Sequence, residues 1–247
     1  MAEQSFHTPG RLELDIRIPA GDVDVETVDG ETSVVAVDGN EKLAETTEVV
    51  LHRNRLTIRS RNRHGFWDLF NLGGGRLTVH ARVPHGTTST VGTSGAEVRL
   101  RGRFAVVDVK TASGDIELDG ETEGDARIKT ASGTVRLGRI GGNLNAGIVS
   151  GDLVVGPVQG SVKAKTVSGG IQIESVRVGD ANCTSVSGNI EIGVAPGSLL
   201  DVDAVSLSGT LTSDVPLGND RPDTGEGPTL VLRGKTVSGN FKIVRAA

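Results

Sequence analysis

Apolar and polar residues alternate in short runs along most of the chain, and this pattern predicts β-strands rather than helices. In the first third, the alternation covers residues 12–18, 56–58 and 77–83, with glycine-rich turns between them. Farther along, apolar residues recur at every second position: Ile116 and Leu118, Val135 and Leu137, Leu153 and Val155, Ile171 and Ile173, Ile190 and Ile192, Phe241 and Ile243. A period of two residues is that of a strand with one buried face.

The dipeptide Ser-Gly recurs along the chain at a nearly constant interval. Its serines are Ser94, Ser113, Ser132, Ser150, Ser168, Ser187, Ser208 and Ser238, separated by 19, 19, 18, 18, 19, 21 and 30 residues. Such a repeat, with a predicted strand on either side of each dipeptide, is typical of stacked coils about 4.8 Å apart. We therefore predict an all-β fold, a parallel β-helix or β-solenoid with coils of about 18–19 residues.

The Ser-Gly pairs are interpreted as structural corners, because glycine adopts the positive φ that a sharp turn needs. The predicted corner residues are Ser113, Gly114, Ser132, Gly133, Ser150, Gly151, Ser168, Gly169, Ser187, Gly188, Ser208, Gly209, Ser238 and Gly239. The unit at Ser94 fits this alignment one residue out of register. Mostly small residues lie four positions before each serine and predict an inward column: Val109, Ile128, Ala146, Ala164, Cys183, Ala204 and Gly234.

The less regular first third predicts a cap. We expect residues 1–85 to form a β-rich layer over the first coil and residues 86–247 to form the solenoid, in one continuous domain. The last unit, residues 236–247, has no helix after it to cover its open edge. We expect this coil to dock on a neighbour, or to be held by Phe241 and the polar insertion at residues 213–227.

Composition then narrows the functional classes. The 35 glycines agree with many corners, and the 2% of aromatic residues, without tyrosine, indicates a thin core and few surfaces for stacking ligands. A net charge of −5 without a basic cluster argues against a nucleic-acid partner. One cysteine excludes an intramolecular disulfide framework. Neither an apolar run of 18 residues nor a secretory signal is visible, so we predict no transmembrane segment and a cytoplasmic location.

Residues that could carry chemistry are few and scattered. The histidines, His7, His52, His64, His80 and His85, lack metal-binding spacing, and Cys183 has no second cysteine beside it, so we predict neither a metal site nor a cofactor. Asp115 and Asp152 lie two coils, about 9.6 Å, apart, near the spacing of an inverting glycosidase pair. A carbohydrate-active β-helix enzyme is therefore retained as an alternative, although turn residues are the simpler interpretation.

Two surface features, a column of lysines and an aromatic loop, each have two interpretations. Lys110, Lys129, Lys165 and Lys235 form an outward column, but with Asp108, Asp115 and Glu117 in neighbouring columns we expect a face of mixed sign, with an anionic-polymer groove as the alternative. Phe66, Trp67 and Phe70 lie in a loop with Arg61 and Arg63. This loop is either a hydrophobic plug over the first coil or a candidate site for a protein partner or a membrane surface.

The repeated units carry a family resemblance. Residues 83–86, Val-Pro-His-Gly, lead into units such as Val-Lys-Thr-Ala-Ser-Gly-Asp-Ile-Glu-Leu at residues 109–118. Over residues 11–244 the chain resembles a bacterial family of β-strand-repeat proteins of unknown function known by the description "putative adhesin". The resemblance implies a β-solenoid, no catalytic motif, and an association with envelope-stress systems.

These observations favour a non-enzymatic structural or interaction module that is adhesin-like. Its partner is either an unidentified protein or a second copy of the chain. A self-assembling scaffold, forming filaments or end-to-end oligomers, is the first alternative.

Overall fold

A computed structural model describes residues 2–39, 46–60, 76–215 and 228–246, which form twenty β-strands and no helix. The strands are β1 Ala2–His7, β2 Glu13–Val28, β3 Thr32–Gly39, β4 Thr47–His52, β5 Arg55–Ser60, β6 Leu77–Pro84, β7 Thr87–Ser113, β8 Ile116–Thr122, β9 Ala126–Ser132, β10 Val135–Ile140, β11 Leu144–Ser150, β12 Leu153–Val158, β13 Val162–Ser168, β14 Ile171–Val176, β15 Gly179–Ser187, β16 Ile190–Val194, β17 Leu199–Ser208, β18 Leu211–Ser213, β19 Thr229–Ser238 and β20 Phe241–Arg245.

Each coil of the solenoid consists of two strands joined at a Ser-Gly corner. The strands that end at the corner stack into face one, in the spatial order β7, β9, β11, β13, β15, β19, β17. The strands that follow the corner stack into face two, in the order β7, β8, β10, β12, β14, β16, β20, β18. All these pairings are parallel and place corner serine beside corner serine, so the predicted parallel β-solenoid is confirmed.

The last two coils are stacked out of sequence order. Strands β19 and β20 lie between the coil of β15 and β16 and the coil of β17 and β18. The prediction that the final unit of the sequence forms the open end is therefore wrong. Phe241 of that unit is fully buried, and the end of the stack is β17 and β18.

The first coil has the predicted β-cap. Strand β2 pairs in parallel with β7 on one side and with β5 and β6 on the other. Outside these lie antiparallel pairings: β4 pairs with β5, β3 pairs with β6, and β1 pairs with β3. One apolar core runs through the cap and the solenoid, and the domain boundary at residue 85 stays a prediction.

Among the described residues the core is aliphatic, with two buried phenylalanines, Phe104 and Phe241. At Phe241 the opposing position of the inward column is Gly234, where an added Cβ would lie 2.0 Å from Cε2 of the phenylalanine ring. The large side chain on face two is thus accommodated by a residue without a side chain on face one. This contact also shows that inward side chains of the two faces meet in the core.

The inward column two residues before each corner serine contains buried and partly buried hydroxyls, and a buried hydroxyl is costly without a hydrogen bond. Several of them donate to backbone carbonyls at the corners: Thr111 to Ser113 at 2.7 Å, Thr130 to Ser132 at 3.0 Å, Ser185 to Gly169 at 3.3 Å, Thr236 to Gly188 at 3.3 Å and Ser206 to Gly239 at 2.9 Å. The column thus fixes the corners from inside.

Candidate functional site

The predicted corner residues lie where the chain passes from face one to face two. Their glycines, Gly114, Gly133, Gly151, Gly169, Gly188, Gly209 and Gly239, have φ between +115° and +156°. Gly114 stacks on the carbonyl of Ala96 rather than of Gly95, which agrees with the one-residue offset of the first unit. The corner serines are exposed or partly exposed and follow one another up the stack.

Asp115 and Asp152, the candidate catalytic carboxylates, form hydrogen bonds at the corners. Asp115 Oδ1 accepts the backbone N–H of Thr134 at 2.8 Å, and Asp152 Oδ1 accepts that of Gly170 at 2.7 Å. Asn189 and Asn240 accept from the next coil in the same way, at 2.9 and 3.0 Å. We call these four residues the corner ladder. Each side chain ties its own coil to the next one.

A second ladder, which the sequence analysis missed, runs along another corner of the coils. Asp125 Oδ1 accepts the N–H of Asn143 at 2.8 Å, Asn143 Oδ1 that of Ser161 at 2.9 Å, and Ser161 Oγ that of Asp180 at 3.2 Å. Asp, Asn and Ser at 18- or 19-residue intervals are its sequence signal. Both ladders give polar surface residues a structural role.

Cys183 is fully buried on β15, between Ala164 and Gly234 of the inward column. Burial raises the pKa of its thiol from 9.0 to about 12, because the thiolate would lose its hydration. At neutral pH the side chain is therefore a protonated, apolar part of the core.

This burial predicts a pH dependence of stability. Above pH 9 the unfolded chain ionises while the folded chain keeps its proton, so the free energy of unfolding falls as the pH rises from 9 towards 12. Between pH 8 and pH 10 we expect the thiol to account for a loss of about 1.4 kcal/mol, measured by urea denaturation. Cys183→Ala is the control, since alanine fills this column in neighbouring coils. An equal loss in both proteins would contradict the prediction.

The described histidines lie outside the repeats. His80 is exposed on β6, with Nδ1 3.7 Å from an oxygen of Asp24. His85 Nδ1 lies 2.8 Å from Thr27 Oγ1, and its Nε2 lies 3.5 Å from Asp29 Oδ1. Thr27 is buried and its hydroxyl oxygen accepts the N–H of Arg103 at 2.7 Å, so this trio is not arranged as an exposed nucleophile and base.

Within the described ranges, no group of three or more histidine, cysteine or carboxylate side chains is placed to hold a metal ion. These ranges also contain no helix long and apolar enough to cross a membrane.

Face one carries charges of both signs, as expected from the sequence, but two of the three named carboxylates lie elsewhere. Asp115 lies at the corner and Glu117 lies on face two, beside Arg136. Asp108 does share the face with the lysines and lies 3.7 Å from both Lys110 and Arg127. Asp201 and Asp203 lie on the outward side of the same face at β17. The corner therefore places residues that are close in sequence on two different faces.

The aromatic loop, with candidate residues Phe66, Trp67, Phe70, Arg61 and Arg63, lies outside the residues that the structure describes. Its interpretations as a plug or as a partner site stay predictions.

The terminal coil, β17 and β18, was not identified from the sequence. Each of its strands pairs with one neighbour, β19 or β20. Its inward residues Leu200, Val202 and Ala204 are only partly buried, whereas their equivalents in inner coils are fully buried. Leu207 and Leu211 are 71% and 49% exposed. The described residues thus leave an apolar coil edge with unused backbone groups, and the 30-residue interval before Ser238 was its only sequence signal.

The chain is similar in structure to a Bacteroides fragilis protein described as a "putative adhesin", with 13% identity, a TM-score of 0.48, and 98% of this chain and 96% of that chain covered. It is also similar to a "putative lipid binding protein" from Parabacteroides distasonis, with 14% identity, a TM-score of 0.47, and 100% and 94% covered. No curated protein matches it. The Toastrack DUF4097 model matches residues 13–243, and the chain belongs to this family of β-solenoid proteins.

Proposed function

We propose that the protein is a non-enzymatic structural and interaction module that joins a second copy end to end through its terminal coil. The observation that carries this proposal is the edge of β17 and β18, where two sheets and an apolar core stop without a covering coil among the described residues. Unpaired strand edges of this kind bind other strands readily.

The surface chemistry supports a non-enzymatic role. Asp115 and Asp152, the candidate glycosidase pair, each accept a backbone N–H of the following coil. Both are exposed at the corners, where each carboxylate links two coils. A carbohydrate-active enzyme is therefore not proposed.

Symmetry favours a second copy as the occupant of the edge. A twofold axis perpendicular to face one at its open edge continues that sheet into the second copy, with antiparallel pairing of β17 to β17. Inward columns stay inward in this arrangement because residues that pair across an antiparallel ladder point to the same side. The interface is self-complementary and closes as a dimer.

Charge disfavours some registers of this pairing. Asp201 and Asp203 are consecutive on the outward side of β17, and apolar inward residues alternate with them along the strand. If Ala204 lies opposite Ala204 of the second copy, Asp203 faces Val205 and Asp201 faces Leu207, so carboxylate does not face carboxylate directly. A pairing centred on Val202 instead places Asp201 opposite Asp203 and is disfavoured.

The test is oxidative cross-linking of Ala204→Cys in the full chain. Paired antiparallel residues have Cα atoms about 4.5–5.5 Å apart, which suits a disulfide. Buried Cys183, with its thiol pKa raised to about 12, is not expected to compete. We expect a covalent dimer whose yield rises with protein concentration, and light scattering of the unmodified protein should show the same dimer reversibly.

The matched control is Val149→Cys, an exposed position on an inner coil of face one. Equal cross-linking of both variants, or a monomer at every concentration, would contradict the proposal. Filaments would show head-to-tail stacking, which would also contradict it. The adhesin-like role and the link to envelope stress stay predictions from the family resemblance, and the cytoplasmic location stays a prediction from the sequence.

A further inference from the structure

Face one carries cations in an ordered array on its outward side. Three strands each present two of them: Arg127 and Lys129 on β9, Lys163 and Lys165 on β13, Arg233 and Lys235 on β19. The strands between them, β11 and β15, have neutral residues at the same register positions: Asn145, Gly147, Asn182 and Thr184. Cation pairs thus repeat every second strand, about 9.6 Å apart.

Most of these cations are not neutralised by neighbours. Arg127 and Arg233 lie 3.7 and 3.1 Å from Asp108 and Asp180. Lys129, Lys163, Lys165 and Lys235 are exposed and have no carboxylate within ion-pair distance in the part of the chain that the structure describes. We call these four residues the lysine array. It creates a local positive surface on a chain whose net charge is −5.

An aliphatic stripe runs beside the lysine array, two residues farther along each strand. It consists of Val149, Val167, Val186 and Val237, which are 53%, 47%, 45% and 39% exposed. The corner serines that follow them stand in register, so the four valines lie next to one another on four adjacent strands, over about 14 Å. Exposed apolar residues in a continuous row mark interaction surfaces more often than single ones do.

We propose that face one docks on a membrane surface that contains anionic lipids. The lysine array meets the negative head groups, and the valine stripe contacts the boundary between head groups and acyl chains. Cations near an anionic bilayer and apolar side chains inserted at its surface both contribute to such binding. A soluble polyanion would use the lysines but gain nothing from the stripe, so the stripe favours lipid as the partner.

The test measures co-sedimentation of the full chain with vesicles of phosphatidylcholine, with and without phosphatidylglycerol. We expect binding to the anionic vesicles only, and binding that weakens as salt is added. The triple variant Lys129→Gln, Lys163→Gln, Lys165→Gln should lower the partition coefficient by about tenfold or more. Val167→Thr with Val186→Thr, which keeps the β-branched shape, should lower it by about threefold.

The matched control removes three exposed cations from face two, with Arg136→Gln, Arg139→Gln and Lys242→Gln. It changes the net charge equally and should alter binding by less than about twofold. Equal losses in the two triple variants, binding to neutral vesicles, or no binding at all would overturn the proposal. Binding of heparin as tight as vesicle binding, unaffected by the valine substitutions, would assign face one to a soluble polyanion instead. Unchanged melting temperatures of these surface variants verify that each is folded.

Discussion

Gly169→Ala is expected to destabilise the solenoid by about 3 kcal/mol or more. Gly169 has φ of +144°, a conformation that side chains with a Cβ rarely adopt. An added Cβ would lie 2.1 Å from the carbonyl oxygen of Gly151 in the preceding coil. Relief would require the corner to move, and the hydrogen bond from its N–H to Ser187 O at 2.9 Å would weaken.

The measurement is the urea midpoint of unfolding, followed by circular dichroism. Gly147→Ala is the control, since Gly147 lies on the outward side of β11, has no atom within 4 Å of an added Cβ and does not need a positive φ. There we expect no loss, or a gain of up to about 1 kcal/mol from the lower entropy of the unfolded chain. Similar losses at the two positions would show that the corner imposes no special requirement.

The second large effect concerns the contact between Gly234 and Phe241. Phe241→Ala should cost about 3–5 kcal/mol, because it removes a fully buried ring from the core. Gly234→Ala alone should cost about 1–3 kcal/mol, because its methyl would overlap the ring. In the double variant the methyl occupies space that the ring has left. The loss should therefore be smaller than the sum of the single losses by at least about 1 kcal/mol.

The same denaturation assay gives the coupling energy. Gly234→Ala combined with Ile171→Val serves as the reference cycle, since Ile171 lies on β14, which does not pair with β19. That pair should be additive within about 0.5 kcal/mol. Additivity of the Gly234 and Phe241 changes would mean that the two faces do not constrain each other's side-chain volume.

The corners and inward columns were predictable because stacking repeats each environment. Equivalent positions of adjacent coils have the same surroundings, so the same residue type recurs there. Ser150 pairs with Ser168, and Ala146 pairs with Ala164. The order of the last coils was not predictable by this logic, since the spacing of Ser208 and Ser238 reports how much chain separates two coils and not which lies outermost. The complementary sizes of Gly234 and Phe241 were a clue, visible only once the two residues face each other.

The candidate surfaces were harder to predict than the fold. Lys110 and Glu117 are seven residues apart, yet the corner at Ser113 sends them to opposite faces. The lysine column was visible in the sequence, but a charge count that averages the two faces does not show which of its cations lack a carboxylate partner. The hydrogen bonds of Asp115 and Asp152 also depend on a neighbour 18 or 19 residues away. Until the register of the coils is known, both carboxylates therefore look free for catalysis.

The out-of-order coils have a consequence for synthesis of the chain. A solenoid whose coils stack in sequence order can fold progressively as the chain leaves the ribosome, each new coil adding to a finished surface. Here β17 and β18 emerge before the surface on which they rest, because β19 and β20 must first fill the space beneath them. A chain that ends before Thr229 lacks β19 and β20, and β17 and β18 then have no strands to pair with. The last stretch of sequence is therefore needed for two coils and not for one.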